Sequence, residues 1–267
     1  MTSSIVISSL QHAPTPCDMS ASLSRLESAC ADAAEVGSRI LLLPESSMTG
    51  YNISISDRDN HAEECDGALR NEVATLARRY ALAINYGYIE KDGDQYFNSV
   101  QLIDRTGTSI AHYRKTHLWG DLDKTLFTAG DRFAPLTEID GWRIGQLICY
   151  DVEFPEAVRQ LALAGADLIL ISTALMEPWT TVADLIVPAR AAENQIYIAY
   201  GNYCGSENGI PYVGHSCIAD PAGSVLAKAG STPELLHATL EREPLNSIRQ
   251  ALPYFRDRRP ELYTEPD

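Results

Sequence analysis

The sequence predicts an α/β fold in which helices cover the faces of sheet. Three observations carry that prediction. Short, wholly apolar runs of the kind a doubly covered strand shows alternate with amphipathic helical stretches. Helices of similar character precede and follow strands in both halves of the chain. No linker, short-period repeat or low-complexity segment interrupts the 267 residues, so a single domain over 1–267 is expected. At 45% hydrophobic and 21% charged, the chain has enough apolar surface to bury a substantial core.

In chain order, Ile5 to Leu10 reads as a strand. From Ser22 to Val36 the positions Leu23, Leu26, Cys30, Ala33 and Ala34 share one helical face, and Gly37 ends that helix. Ile40-Leu41-Leu42-Leu43 follows as a buried strand. Leu69, Val73, Leu76, Ala77 and Tyr80 mark a second amphipathic helix. Strands are expected at Ala83–Ile89, Phe97–Ile103 and Ser109–Arg114, separated by turns at Asp92-Gly93-Asp94 and Thr106-Gly107. Trp142 to Ile148 is another strand. Pro155 to Ala164 is a helix with Pro in its first turn and Gly165 past its end. Asp167 to Ser172 reads as a strand, Ala183 to Asn194 as one helix containing Pro188, and Ile196 to Gly201 as a strand. The stretches on either side of Asp220-Pro221-Ala222-Gly223 form a hairpin, and the segment rich in Arg256, Arg258, Arg259 and Pro260 reads as an exposed tail.

The formal net charge of -15 repels phosphate backbones and anionic headgroups, which argues against nucleic-acid and membrane partners. No run approaches the ~18 apolar residues of a membrane span. The amino end lacks the basic lead and long apolar stretch of a secretory signal. Cys17, Cys30, Cys65, Cys149, Cys204 and Cys217 are scattered without CxxC spacing, so reduced thiols and a cytoplasmic setting are expected rather than disulfides or a zinc site. No phosphate-cradling glycine loop or clustered metal-ligand motif is present, so neither a metal nor another cofactor is expected.

Three segments share one design, an apolar strand that stops at a reactive residue: Leu41-Leu42-Leu43-Pro44-Glu45, Ile110-Ala111-His112-Tyr113-Arg114-Lys115 and Leu147-Ile148-Cys149. Strand carboxyl ends favour active sites because rigid strands hold side chains that loops alone would let wander. Each residue has an ordinary reading: Cys149 as a small buried hydrophobe, Glu45 as the cap of a turn, Lys115 as a surface lysine. Together they supply what hydrolysis of a carbon–nitrogen bond demands. Cys149 is the nucleophile, Glu45 the general base and acid, and Lys115 with the backbone N–H of Tyr150 holds the oxyanion.

The three segments resemble the nitrilase superfamily, whose members carry a Glu-Lys-Cys triad. The likeness includes Thr49-Gly50-Tyr51-Asn52, Phe97-Asn98-Ser99-Val100-Gln101, Tyr113-Arg114-Lys115-Thr116-His117-Leu118, Cys149-Tyr150-Asp151-Val152-Glu153-Phe154-Pro155-Glu156 and Ala189-Arg190-Ala191-Ala192-Glu193-Asn194-Gln195. It implies a four-layer αββα sandwich, with homodimers or higher homo-oligomers built through an outer helical layer. Asn202-Tyr203-Cys204-Gly205 adds a likeness to the aliphatic amidase branch, closest to 5-aminopentanamidase and R-stereoselective amidases. That implies hydrolysis of a small amide by water to an acid and ammonia. Nitrilases and N-carbamoyl hydrolases share the triad, so those activities stay open.

Relatives carry a second glutamate after the lysine. Here the loop reads Gly120-Asp121-Leu122-Asp123-Lys124, which carries that role to Asp123, with Asp121 as the alternative and a solvated acidic turn as the plain reading. Relatives acting on carboxylated substrates have Arg four positions after the nucleophile, where this chain has Glu153. Glu153 is expected either to favour a substrate bearing an ammonium or to cap the helix beginning near Pro155. Tyr51, Trp119, Tyr150 and Trp179 are candidate pocket walls. A papain-like enzyme using His112, His117 or His215 as base, and a thiol redox protein that only binds partners, are the competing readings.

Overall fold

The computed structural model describes residues 2–263. The first half of the chain comprises β1 (Ser4–Gln11), α1 (Met19–Glu35), β2 (Ile40–Leu42), α2 (Ile55–His61), α3 (Ala68–Tyr80), β3 (Ala83–Asp92), β4 (Gln95–Ile103), β5 (Ser109–Arg114) and α4 (Gly120–Leu126). The second half comprises β6 (Thr137–Ile139), β7 (Trp142–Ile148), α5 (Pro155–Leu163), β8 (Leu168–Ser172), α6 (Val187–Asn194) and β9 (Tyr197–Gly201). It continues with β10 (Ser206–Glu207), β11 (Ile210–Pro211), β12 (Cys217–Ala219), β13 (Val225–Lys228), β14 (Glu234–Glu241), α7 (Arg242–Ala251) and α8 (Tyr254–Asp257).

The strands form two six-stranded sheets, ordered β14-β1-β2-β3-β4-β5 and β13-β12-β9-β8-β7-β6, with β10 and β11 paired apart. β1, β2 and β3 run parallel, as do β7, β8 and β9, and antiparallel strands flank both sets.

Strand alternation builds the layers. Ile40 and Leu42 of β2 face inward with Ile5, Ile7 and Leu102, against Trp142, Ile144, Leu168 and Leu170 of the other sheet. Leu41 and Leu43 face outward with Ile84 and Tyr86, under Leu26, Cys30, Leu69 and Val73 of α1 and α3. In β8, Ile169 and Ile171 likewise face outward, under Ala157, Val158 and Leu161 of α5 and Val187 and Ala191 of α6. The result is the expected αββα sandwich.

Near one end of the sheets the intersheet layer turns polar. The Gln146 amide donates to Asn85 Oδ1 at 2.6 Å, the Asn85 amide donates to Ser172 Oγ at 3.1 Å, and that hydroxyl donates to the Leu43 carbonyl at 2.7 Å. Buried polar groups need such partners, and here they fix the register of one sheet on the other.

Two expectations are corrected. The stretch 183–194 is not one α-helix: Val182–Ile186 forms a π turn before α6 begins. Pro188 has no N–H and its ring would crowd the carbonyl four residues back, which the widened turn relieves. The acidic stretch 120–124 is not a loop but the start of α4, with Asp121 and Asp123 in its first turn, where a helix dipole favours negative charge. The tail around Arg256 is exposed as read, with a short helix α8 in it and Phe255 packing partly against the α5–α6 layer.

One buried ion network braces the sheet that carries Lys115. Glu90 of β3 accepts from Ser99 at 2.6 Å, from Arg114 at 2.5 and 3.0 Å, and lies 2.9 Å from His112 Nε2. These partners outweigh burial and hold its carboxyl down at about 2, against an ordinary 4.5. Because the folded value lies below the unfolded one, its stabilisation is present above pH 4.5 and is lost as pH falls toward 2. We expect Glu90→Gln to cost on the order of 3 kcal/mol at neutral pH and less at pH 2–3, measured as urea unfolding midpoints across that range.

Candidate active site

The three reactive residues do come together, each at the carboxyl end of a strand. β2 runs through Leu43 to Pro44, and Glu45 turns across the sandwich, its amide donating to the Thr173 carbonyl beyond β8. This loop lies directly on β3 at Gly87, where a Cβ would stand 2.4 Å from the Ser46 nitrogen, so only glycine admits the approach. Lys115 follows β5, its amide bonded to the Asn98 carbonyl at 2.9 Å and its own carbonyl to Gly130 at 2.8 Å. Cys149 opens a tight turn, Cys149–Glu153, after β7. Its φ of 46° is the left-handed region that a side-chain-bearing residue occupies only when its surroundings compel it.

Glu45, Lys115 and Asp123 are all fully buried. The Lys115 ammonium donates to Glu45 Oε1 and to Asp123 Oδ2, both at 2.7 Å. Two carboxylates about one ammonium leave the cluster with surplus negative charge in a dry place. Burial, reinforced by Asp123, pushes the Glu45 carboxyl above the ordinary carboxylate range, although Lys115 and Asn98 pull it back. Burial opposes the charge on Lys115, but the two carboxylates outweigh it and hold the amine protonated. The Cys149 thiol is pushed up by burial first and by the Glu45 charge second, with Lys115 and the neighbouring Thr173 and Ala174 favouring the thiolate.

Of the two candidate acids, Asp123 reaches Lys115 and Asp121 is exposed. The Trp119 amide donates to Asp123 Oδ2 at 2.9 Å, which locks the start of α4 onto the lysine.

Asn98 and Asp151 were not singled out from the sequence. The Asn98 amide donates to Glu45 Oε1 at 2.6 Å. Asp151 accepts from Tyr113 at 2.8 Å, from Thr116 and the His117 amide at 3.0 Å, and from the Ile148 amide at 3.0 Å. It thereby ties the nucleophile turn to the segment bearing Lys115. A buried acid two residues past a candidate nucleophile was the available signal.

A pocket of about 190 Å³ opens onto Cys149, walled by Tyr51, Trp119, Tyr150, Glu153, Met176, Trp179 and neighbours. The four aromatic candidates all line it. The Tyr51 ring centroid lies 5.6 Å from Lys115 Nζ. Glu153 precedes the N-cap Phe154 of α5, which has no side-chain cap hydrogen bond. Its carboxyl is raised by burial, with Lys115 and Arg190 opposing. The three histidines are engaged elsewhere, His112 with Glu90, His117 with Asp151 and His215 with Asp184. Among the described residues no three His, Cys, Asp or Glu side chains are placed to hold a metal ion, and no helix is long and apolar enough to cross a membrane.

A buried acid–lysine–cysteine cluster in an αββα sandwich defines a carbon–nitrogen hydrolase of the nitrilase superfamily. The carbon–nitrogen hydrolase family model matches residues 6–250, and the chain belongs to that family. It is an enzyme of the amidase type. It is 48% identical to "Hydrolase in pqqF 5'region" of Pseudomonas protegens over 253 residues, 94% of this chain and 88% of the relative. It is 33% identical to an (R)-stereoselective amidase of Pseudomonas sp., covering 82% of this chain and 79% of that one. Among solved structures it matches a double mutant of the amidase from Nesterenkonia sp. AN1 in complex with acrylamide. That match has a TM-score of 0.86 and 33% identity, over 98% of this chain and 97% of that one. Family membership replaces the reading of Cys149 as a mere redox thiol.

The charges around the thiol make its reactivity a direct probe of the cluster. In Glu45→Gln the opposing charge is gone, so the pH profile of Cys149 alkylation by iodoacetamide is expected to move to lower pH. In Lys115→Met it is expected to move to higher pH. Mass-spectrometric quantitation of alkylated Cys149 checks both.

Proposed function

We propose that the enzyme hydrolyses a small aliphatic amide to a carboxylic acid and ammonia through a thioester on Cys149. The observation that carries this is the Glu45–Lys115 pair, joined at 2.7 Å, beside a thiol that lines a small pocket. An amide carbonyl is a poor electrophile, and its nitrogen leaves only when protonated. In the proposed sequence the Cys149 sulfur attacks the carbonyl carbon and Glu45 takes the thiol proton. The oxyanion is held by the Lys115 ammonium and the Tyr150 N–H; one such donor is typically worth ~2.7–4 kcal/mol. The carbon–nitrogen bond breaks as Glu45 returns the proton, and ammonia leaves. Water then attacks the thioester, Glu45 takes its proton, and the carbon–sulfur bond breaks to release the acid and restore the thiol.

Asp123 and Asn98 support this cycle by holding Lys115 and Glu45 in place. The raised Glu45 carboxyl suits a group that must both accept and donate a proton near neutrality. The pocket favours a short acyl chain, and its half-buried Glu153 supports the finer reading of a substrate with an ammonium at the far end, an ω-amino amide such as 5-aminopentanamide. We also propose association of copies through the outer helices of the second sheet, where Leu163 and Leu185 stand exposed; sedimentation would test it.

Ammonia release from 5-aminopentanamide, beside a neutral amide of equal length, tests the central claim. Turnover that vanishes in Cys149→Ala is expected. Hydrolysis of the matching nitrile or N-carbamoyl compound, with neither amide turned over, would overturn it. For specificity, Glu153→Arg is expected to raise KM for the aminated amide about tenfold or more, leaving the neutral amide within about threefold. Equal effects on both would remove Glu153 from recognition.

A further inference from the structure

We propose that Glu207, remote from the reacting atoms, is a positioning residue that sets the pocket wall facing Cys149. The inference rests on the amide-hydrolase reading and concerns how that site is held. Glu207 lies in β10 and is 2% exposed. Its carboxylate accepts from the Asn52 amide at 2.6 Å, from the Tyr51 amide at 3.2 and 3.3 Å, and from the Tyr212 hydroxyl at 2.7 Å. No Lys, Arg or His side chain pairs with it among the described residues.

Those donors belong to two chain segments, one that lines the pocket and one paired with a segment that does. Tyr51 is one wall, with its ring near Lys115. Tyr212 pairs with Met176, another wall residue, and the next residue, Glu177, donates its amide to the Pro211 carbonyl at 3.0 Å. Tyr51, Ala174, Tyr203 and Tyr212 also share one buried apolar cluster. One carboxylate thus joins both walls. Asn52 doubles the tie, its amide donating to the Glu207 carbonyl at 3.1 Å, while Asn208 donates back to the Asn52 carbonyl at 2.7 Å.

The chemistry explains why this is an acid. Burying a carboxylate with only neutral donors is unfavourable. What it provides is acceptance at both oxygens, from donors that converge from separate chain segments. An amide in its place would turn an NH₂ group against one of those donors. Nothing in the fold's apolar layers needs a charge here; holding Tyr51 and the Met176 segment in register does. A displaced wall would let the bound acyl chain drift from the sulfur, and small displacements are costly to catalysis.

The test compares wild type, Glu207→Gln, Tyr51→Ala and the double variant. KM and kcat per titrated thiol are measured with an amide substrate, along with the saturation constant for Cys149 alkylation by iodoacetamide, a readout that needs no turnover. Glu207→Gln is expected to raise both KM and the alkylation constant about tenfold, and to add little in the Tyr51→Ala background. Unchanged constants per titrated thiol, or an undiminished effect in the Tyr51→Ala background, would overturn the proposal. If Glu207→Gln does not accumulate folded, Tyr212→Phe removes a single donor and carries the same expectation in smaller measure; unchanged constants there would overturn it. Failure of all amides to turn over, with the alkylation pattern as expected, would count against the substrate reading and leave the positioning role supported.

Discussion

Everything in this molecule is arranged about an ammonium ion buried between two carboxylates. Lys115 cannot stay charged in a dry interior unless Glu45 and Asp123 remain within hydrogen-bond distance, because an unpaired charge there would be far too costly. That requirement explains features that are otherwise unrelated: the glycine under the Glu45 loop, the conversion of an acidic stretch into α4, and Asn98 bonded to Glu45. Without Lys115 both buried carboxylates would be unmatched, so the lysine is the member on which the other two depend. Burial first, and the neighbouring carboxylates second, raise both the Cys149 thiol and the Glu45 carboxyl, while Lys115 opposes both shifts.

Much of the fold was legible because its signals are local. The Ile40–Leu43 run, the 69–80 helical face and the strand over Trp142–Ile148 each lie within a few residues, and all appear as read. The Glu-Lys-Cys trio was legible because each member ends an apolar strand. Missed elements have weaker local signatures. β14 alternates cleanly, with Leu236, Ala238 and Leu240 buried, yet its partner β1 lies at the other end of the chain. α4 reads as a loop from sequence because it is short, and the partners of its buried side chains, Lys115 for Asp123 and Ile53 and Ile89 for Leu126, lie elsewhere in the chain. Asn98, Asp151 and Glu207 serve partners far along the chain, so their roles exist only after folding. Pro188 was visible, but its effect on helix geometry depended on how the preceding turn would relax.

The pocket shows a division of labour between the two kinds of residue. Aromatic rings form much of the wall, while a few buried acids hold the segments that carry them. Asp151 ties the nucleophile turn to the Lys115 segment, and Glu207 joins walls from separate loops. Asp151 does so through the backbone amides of His117 and Ile148, and Glu207 through the backbone amides of Tyr51 and Asn52 on one side and the Tyr212 hydroxyl on the other.

Glu45 and Lys115 extend from one sheet and Cys149 from the other. The gap between the sheets therefore sets the spacing of the three side chains. The Gln146–Asn85–Ser172–Leu43 chain of hydrogen bonds and the Glu45-to-Thr173 bond span that gap just beneath the reacting groups. They act as a spacer of fixed length between two plates. Sliding or spreading of the plates by a fraction of an ångström would change the sulfur-to-carboxylate distance while every strand stayed intact. In that sense the enzyme's tolerance is set less by the strength of its layers than by the stiffness of the joint between them.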